Sequence, residues 1–144
     1  MAAVRRATVK WTGDLATGSG ELSADTSRAF SRLPVSWAAR TEHADGKTSP
    51  EELLGAAHAT CFSMALSNAL SKAGTPPTSL DTSADVTFQP GEGITGIVLR
   101  VSGAVPGMTA QEFADAAEGA KTGCPVSQAL AATPITLEVK SFSV

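Results

Sequence analysis

The stretch "SPEELLGAAHATCFSMALSNALSKAG", residues 49–74, decides the fold. Ser49 stands where an N-cap belongs, Pro50 suits the first helical position, and Glu52 completes a Ser-x-x-Glu capping box. Gly74 and the Pro76–Pro77 pair cannot continue the pattern, so the sequence predicts one helix from Pro50 to about Lys72. From Leu53 to Leu70 it runs 18 positions without a formal charge, the threshold length for a membrane span. It also carries His58, Thr60, Asn68 and two serines, and it lacks aromatic or basic flanks, so a buried helix of a soluble protein is the better reading. Its large apolar residues, among them Leu53, Leu54, Phe62, Met64, Leu66 and Leu70, are spread around all sides. Gly55, Ala56, Ala59 and Ala65 would let another helix approach closely. Such a helix must be covered on every face. Two kinds of cover remain open: an ordinary core behind a sheet, or a second chain sharing the helix across a dimer interface.

Around this helix lie strand-length pieces. Residues 6–12, 19–25 and 33–40 precede it, separated by glycine and polar turns such as "TGSG" at 17–20. After it, Leu80, Thr82, Ala84, Val86 and Phe88 alternate on one face, and residues 94–105 are rich in valine and isoleucine, so the "QPGEG" turn joins two strands. Thr109 N-caps a second helix over about 110–121, with Gln111 and Glu112 in its first turn. "GCPVSQALAAT" gives a short third helix, and "PITLEVKSFS" closes the chain as a strand. The order β-β-β-α-β-β-α-α-β predicts an α+β fold with antiparallel pairing, in a single domain over residues 1–144.

A net charge of −3 gives no electrostatic reason to expect nucleic acid. "MAAVRRATVKW" at the start has no apolar run after its arginines, so no secretory signal and a cytoplasmic setting are expected. In a reducing compartment the two cysteines, Cys61 and Cys124, read as a transient, catalytic or redox-sensing pair, not a structural framework. They lie 63 positions apart, and spacing alone does not bring them together. Cys124 precedes Pro125 at the N-terminal edge of the third helix, where the helix dipole lowers a thiol pKa. By local sequence it is the better nucleophile. Cys61 is mid-helix, where burial raises the pKa and a cation must come from elsewhere in the fold. His58, three residues before it, suggests a Cys-His pair, against which stands the commoner reading of a core histidine bonded to backbone. A zinc site from His58, Cys61 and Cys124 lacks paired ligand spacing, so no metal is expected.

"TSPEELLGAAHATCFSMAL", followed about sixty residues later by "AKTGCPVSQAL" and a final "ITLEV", closely resembles the OsmC branch of the OsmC/Ohr thiol peroxidases. The likeness extends through "WTGDLATGSGEL", "TSLDTSADVTF" and "AVPGMTAQEF", and so covers nearly the whole chain. It implies an intertwined homodimer with antiparallel sheets wrapped around long central helices, needing no cofactor, no metal, no membrane and no nucleic acid. It also implies an activity: reduction of organic hydroperoxides, and more weakly hydrogen peroxide, at the expense of an external thiol or dithiol.

The resemblance assigns roles that reverse the local guess. Cys61 falls on the peroxidatic cysteine and Cys124 on the resolving one. A Cys61 thiolate would become a sulfenic acid, and Cys124 would close a disulfide with it. Family members hold the peroxidatic sulfur as thiolate with an arginine paired to a glutamate. The early glycine-rich segment holds Ser19 where the Ohr branch has its arginine, so the role falls on Arg40 in "SWAARTEH", with Glu51 as its carboxylate. Glu51 and Cys61 are ten residues apart on one helix, about 15 Å along its axis. Unless the helix breaks, Glu51 must then serve the Cys61 of a partner chain. Two other functions remain open: a redox sensor using the same disulfide as a switch, and a thiol hydrolase built on His58 and Cys61.

Overall fold

Val9 and Trp11 on one strand and Leu22 on the next line up across an antiparallel ladder, and that ladder starts the fold. In the computed structural model, which describes all 144 residues, β1 (Ala7–Thr12), β2 (Ser19–Ala24) and β3 (Leu33–Val35) form a three-stranded sheet in chain order. Val9 faces Leu22 and Trp11 faces Gly20. A side chain at Gly20 would meet Val35 Cγ2 at 2.8 Å and Trp11 Cε3 at 2.9 Å, so only glycine lets these neighbours close over it. The third strand is shorter than its sequence suggests. Residues 37–40, expected to extend it, lie in a helical turn, α1 (Trp37–Thr41). Ser36 accounts for the switch: its hydroxyl accepts the Ala39 N–H at 3.2 Å and starts a helix of good formers.

The long helix forms as its signals dictate. α2 spans Pro50–Lys72. Ser49 Oγ accepts from the Glu52 N–H at 3.1 Å, while the Glu52 carboxylate takes the Thr48 hydroxyl at 2.8 Å, one residue short of a closed capping box. At the far end Gly74 sits at φ +85°, with Gly74 N–H bonded to Ser71 O and Thr75 N–H to Leu70 O, the paired bonds of a Schellman stop. The chain divides into two compact units, Met1–Leu53 and Leu54–Val144, the boundary falling after the first turn of α2.

In the second unit, β4 (Ser79–Gln89) and β5 (Gly93–Ala104) make a long antiparallel hairpin. α3 (Ala110–Gly123) and α4 (Pro125–Ala129) follow, and β6 (Ile135–Ser143) returns beside β5. The class is α+β, as expected, but the β5–β6 pair is parallel where antiparallel pairing was expected. The reason is the two helices between them. A parallel partner needs a crossover long enough to run back along the sheet, and α3 with α4 supplies it. Thr109 closes a full capping box with Glu112 at the start of α3.

The core of this unit joins one stripe of α2 to the sheet and to α3. Phe62, Leu66 and Leu70 pack with Leu99, Val101, Val105, Phe113 and Ala117, all essentially inaccessible. The Ser63 and Thr82 hydroxyls, 2.6 Å apart, tie α2 to β4, and Gly55 lets the helix approach within 2.9 Å of the Ala84 carbonyl, measured from where a Cβ would stand. By length and composition α2 could cross a membrane, yet one stripe of it is spent on this core. The other side of α2, with Ala56, Ala57, Thr60, Met64 and Asn68, is exposed in the single chain. Met64 alone is 68% exposed.

Gly103 tests the packing. A Cβ there would lie 2.5 Å from Phe113 Cζ, and the Phe113 ring is pinned by Phe142 at 5.2 Å between centroids. Gly103→Ala should therefore destabilise the protein by about 1–3 kcal/mol. A urea-unfolding midpoint at or above that of the parent would show that the ring yields.

Candidate active site

Two polar constellations stand out, one in each unit. In the first, Arg40 is carried by α1 in its last turn, not at a strand end, and Glu51 by the first turn of α2. The guanidinium grips the carboxylate in bidentate fashion: Nη2 donates to Oε1 at 2.7 Å, and Nε donates to Oε1 and Oε2 at 3.1 and 3.2 Å. The Glu51 side chain is 9% exposed and that of Arg40 27% exposed, so the pair is shielded more than a surface ion pair. Arg40 also lies over the Trp37 ring, 5.7 Å from its centroid. It forms part of the wall of an apolar cavity of about 310 Å³ lined by Val9, Trp11, Leu22, Val35 and Leu53. Val9, Trp11 and Leu15 of this lining keep substantial exposure, so the cavity opens to solvent. Of the other arginines near this segment, Arg32 is spent on Glu21 at the surface.

In the second unit the sulfurs meet. Both cysteines are free thiols, and they share a hydrogen bond. Cys61 is half-buried and opens on a groove of about 670 Å³ between α2 and α3, floored by Ala65, Ala116, Ala120 and Gly123. Cys124 is fully buried, at the junction where α3 ends and α4 begins. Burial and the bond shared with Cys124 push the Cys61 thiol above its ordinary value. Burial acts upward on Cys124 too, but there it is outweighed by the bond from Cys61, the N–H and hydroxyl of Ser127, and the Val126 N–H. Cys124 therefore lies below the usual thiol range. Of the two sulfurs, Cys124 is therefore the more readily ionised.

Cys124 at its helix edge is thus lowered in the direction its position predicts, although α4 is only five residues long and hydrogen bonding carries the effect. His58 is fully buried with its Nε2 2.7 Å from Ser127 Oγ, while its Nδ1 has no hydrogen-bond partner. Burial pushes its pKa down. Its partner is Ser127, not Cys61, so the protease-like dyad does not form. Ser127 escaped the sequence reading. The signal was present in "CPVS": a hydroxyl three residues past a cysteine that opens a helical turn lies one turn above the sulfur. No group of three or more histidine, cysteine, aspartate or glutamate residues is placed to hold a metal ion.

Comparison with known proteins agrees with this architecture. Residues 43–140 match the family model described as OsmC-like protein. The chain is 48% identical over 131 residues to the proteins named Peroxiredoxin OsmC from Escherichia coli (strain K12) and from Shigella flexneri, covering 89% of this chain and 90% of each relative. Among solved structures, an OsmC-like protein from Mycoplasma pneumoniae superposes with a TM-score of 0.72 at 16% identity, covering 99% of both chains. The organic hydroperoxide resistance protein OhrB of Bacillus subtilis superposes with a TM-score of 0.67 at 20% identity, covering 94% of this chain and 98% of that one.

Thiols that already share a hydrogen bond need little motion to join. Mild oxidation should close a Cys61–Cys124 bridge within one chain, read as a loss of two hydrogens and a linked peptide pair. Cross-linked dimers on a non-reducing gel, without that peptide pair, would contradict the contact.

Proposed function

The chain belongs to the OsmC family, and from that premise we propose that it is a thiol-dependent peroxidase acting on organic hydroperoxides, with hydrogen peroxide a poorer substrate. The observation that carries the proposal is the contact between a reachable sulfur and a buried one. The thiol that meets an incoming peroxide has to be reachable, and Cys61 opens on the groove while Cys124 does not. That favours Cys61 as the peroxidatic residue, against the local ionisation order. Its thiolate attacks the terminal oxygen of the O–O bond. The bond breaks, an alcohol leaves after taking a proton, and Cys61 is oxidised to a sulfenic acid. Cys124 then displaces hydroxide from that sulfur, and the resulting disulfide is reopened by an external thiol or dithiol. The chemistry needs no bound cofactor, and its recycling step suits a reducing compartment, the cytoplasm.

Cys61 lacks a cation of its own, because burial and Cys124 both act to keep it protonated. The bidentate Arg40–Glu51 pair is the candidate, and the neighbouring apolar cavity suits the carbon skeleton of an organic peroxide. Ten residues of unbroken α2, about 15 Å of rise, separate Glu51 from Cys61 along the helix. The proposal is therefore a homodimer in which the Arg40–Glu51 pair of one chain serves the Cys61 of the other. The uncharged side of α2, exposed in the single chain, supports such an assembly.

Turnover of an organic hydroperoxide with a dithiol separates the steps. Cys61→Ser should abolish peroxide consumption, whereas Cys124→Ser should still reduce one equivalent and stop. A sulfenic acid trapped on Cys124 would reverse the assignment. Stoichiometric oxidation without turnover in the parent protein would make the disulfide a sensor's switch.

Hybrid dimers probe the shared site. A Glu51→Ala chain mixed with a Cys61→Ser chain, each nearly inactive alone, should recover about half the parent activity per mixed dimer, because one of its two sites is intact. With subunit exchange verified, activity that stays low would place Glu51 and Cys61 of one chain in the same site.

A further inference from the structure

The peroxidase scheme leaves His58 without a task, yet it is fully buried and its environment is specific. It sits on α2 one turn before Cys61, and its Nε2 lies 2.7 Å from the Ser127 hydroxyl, itself only 4% exposed. Ser127 sits on α4 one turn after Cys124, and its N–H and hydroxyl both act to lower the Cys124 thiol. A serine hydroxyl has one proton to give. Given to the sulfur, it cannot also be given to His58, so the imidazole must be the donor and Nε2 carries the hydrogen. The orphan Nδ1 is then a bare lone pair. The other tautomer would bury an unpaired N–H donor there, the costlier kind of orphan, and would draw the serine proton away from sulfur. Burial keeps the ring neutral, so one tautomer serves throughout.

We propose that His58 is a positioning residue for the resolving thiol: its Nε2–H fixes the Ser127 hydroxyl so that the hydroxyl proton points at Cys124 Sγ. The inference rests on the peroxidase reading for its use, though not for its geometry. In resolution the Cys124 thiolate donates its electron pair to the sulfenic sulfur of Cys61. The S–S bond forms, the S–OH bond breaks, and the departing hydroxide takes a proton from solvent to become water. In recycling, a reductant thiolate attacks the accessible Cys61 sulfur, and the S–S electron pair returns to Cys124. A held thiolate is the better leaving group in that step. The titratable groups facing Cys124 are Cys61 directly and His58 through Ser127, both from α2, and the remaining donors belong to α4.

The test titrates Cys124 alone, in a Cys61→Ser background, by the ultraviolet absorbance of the thiolate against pH. Ser127→Ala should move the midpoint up by about one unit, a tenfold loss of thiolate on the acid side. His58→Leu should move it the same way, while His58→Gln, whose amide N–H can stand in for Nε2–H, should hold it near the parent. In the two-cysteine protein, Ser127→Ala given one equivalent of cumene hydroperoxide should accumulate the trappable Cys61 sulfenic acid that the parent consumes. An unmoved midpoint in Ser127→Ala would overturn the proposal, as would His58→Gln shifting as far as His58→Leu. Should His58→Leu fail to fold, Ser127→Ala and His58→Gln still decide. The titration involves no peroxide, so a failed peroxidase reading leaves it standing, while a silent titration in an active peroxidase sinks this inference alone.

Discussion

The structure depends on one constraint: α2 is a 23-residue helix with charged side chains only near its ends. Such a helix cannot choose a wet face by charge. Its orientation is set by fit, through Gly55 against the Ala84 carbonyl, Ser63 against Thr82, and the Phe62–Leu66–Leu70 stripe against the sheet. The chemistry is strung along the same element, with Glu51 in its first turn, His58 and Cys61 in its middle. A rotation of α2 by one residue would misplace a carboxylate, a buried imidazole and a sulfur at once. Packing and chemistry are therefore the same specification here.

The electrostatics of the thiol pair follow from this economy of charge. Around Cys61 and Cys124 the stabilising groups are hydrogen-bond donors: a second thiol, two backbone N–H groups and a hydroxyl. Donors of that kind act at contact distance, so they favour whichever sulfur they touch: the Val126 N–H acts on both, while the Ser127 N–H and hydroxyl act on Cys124. A guanidinium acts at longer range and is largely insensitive to such detail. In the proposed dimer the Arg40–Glu51 pair would therefore favour Cys61 only by standing nearer to that sulfur than to Cys124, with the carboxylate holding the guanidinium in one orientation.

The helices were legible in the sequence because their ends are written in local chemistry. Ser49, Gly74 and Thr109 each satisfy backbone groups within a few residues of themselves, and each was found in that role. The α1 turn was missed because "SWAAR" follows a strand without a break, and a five-residue helix has no periodicity to display. The direction of β6 was missed for a different reason. A strand looks the same in sequence whichever way it pairs, and only the crossover length bears on it. In the site, the cysteines could be singled out but their meeting could not, since 63 residues lie between them. Ser127 was invisible until His58 had a position, because a serine gains meaning only from what faces it.

The parallel return of β6 has a consequence for the order in which the molecule is made. The β4–β5 hairpin closes over a three-residue turn and can form early, whereas β6 reaches β5 only after α3 and α4 have folded back across the sheet. Cys124 stands at the hinge between those two helices. The contact between the sulfurs thus spans 63 positions of sequence, and closing so long a loop costs chain entropy that local contacts do not. Until α3 folds back onto α2 nothing positions Cys124 beside Cys61, so the pairing of the two thiols is a property of the assembled tertiary structure and not of either segment alone.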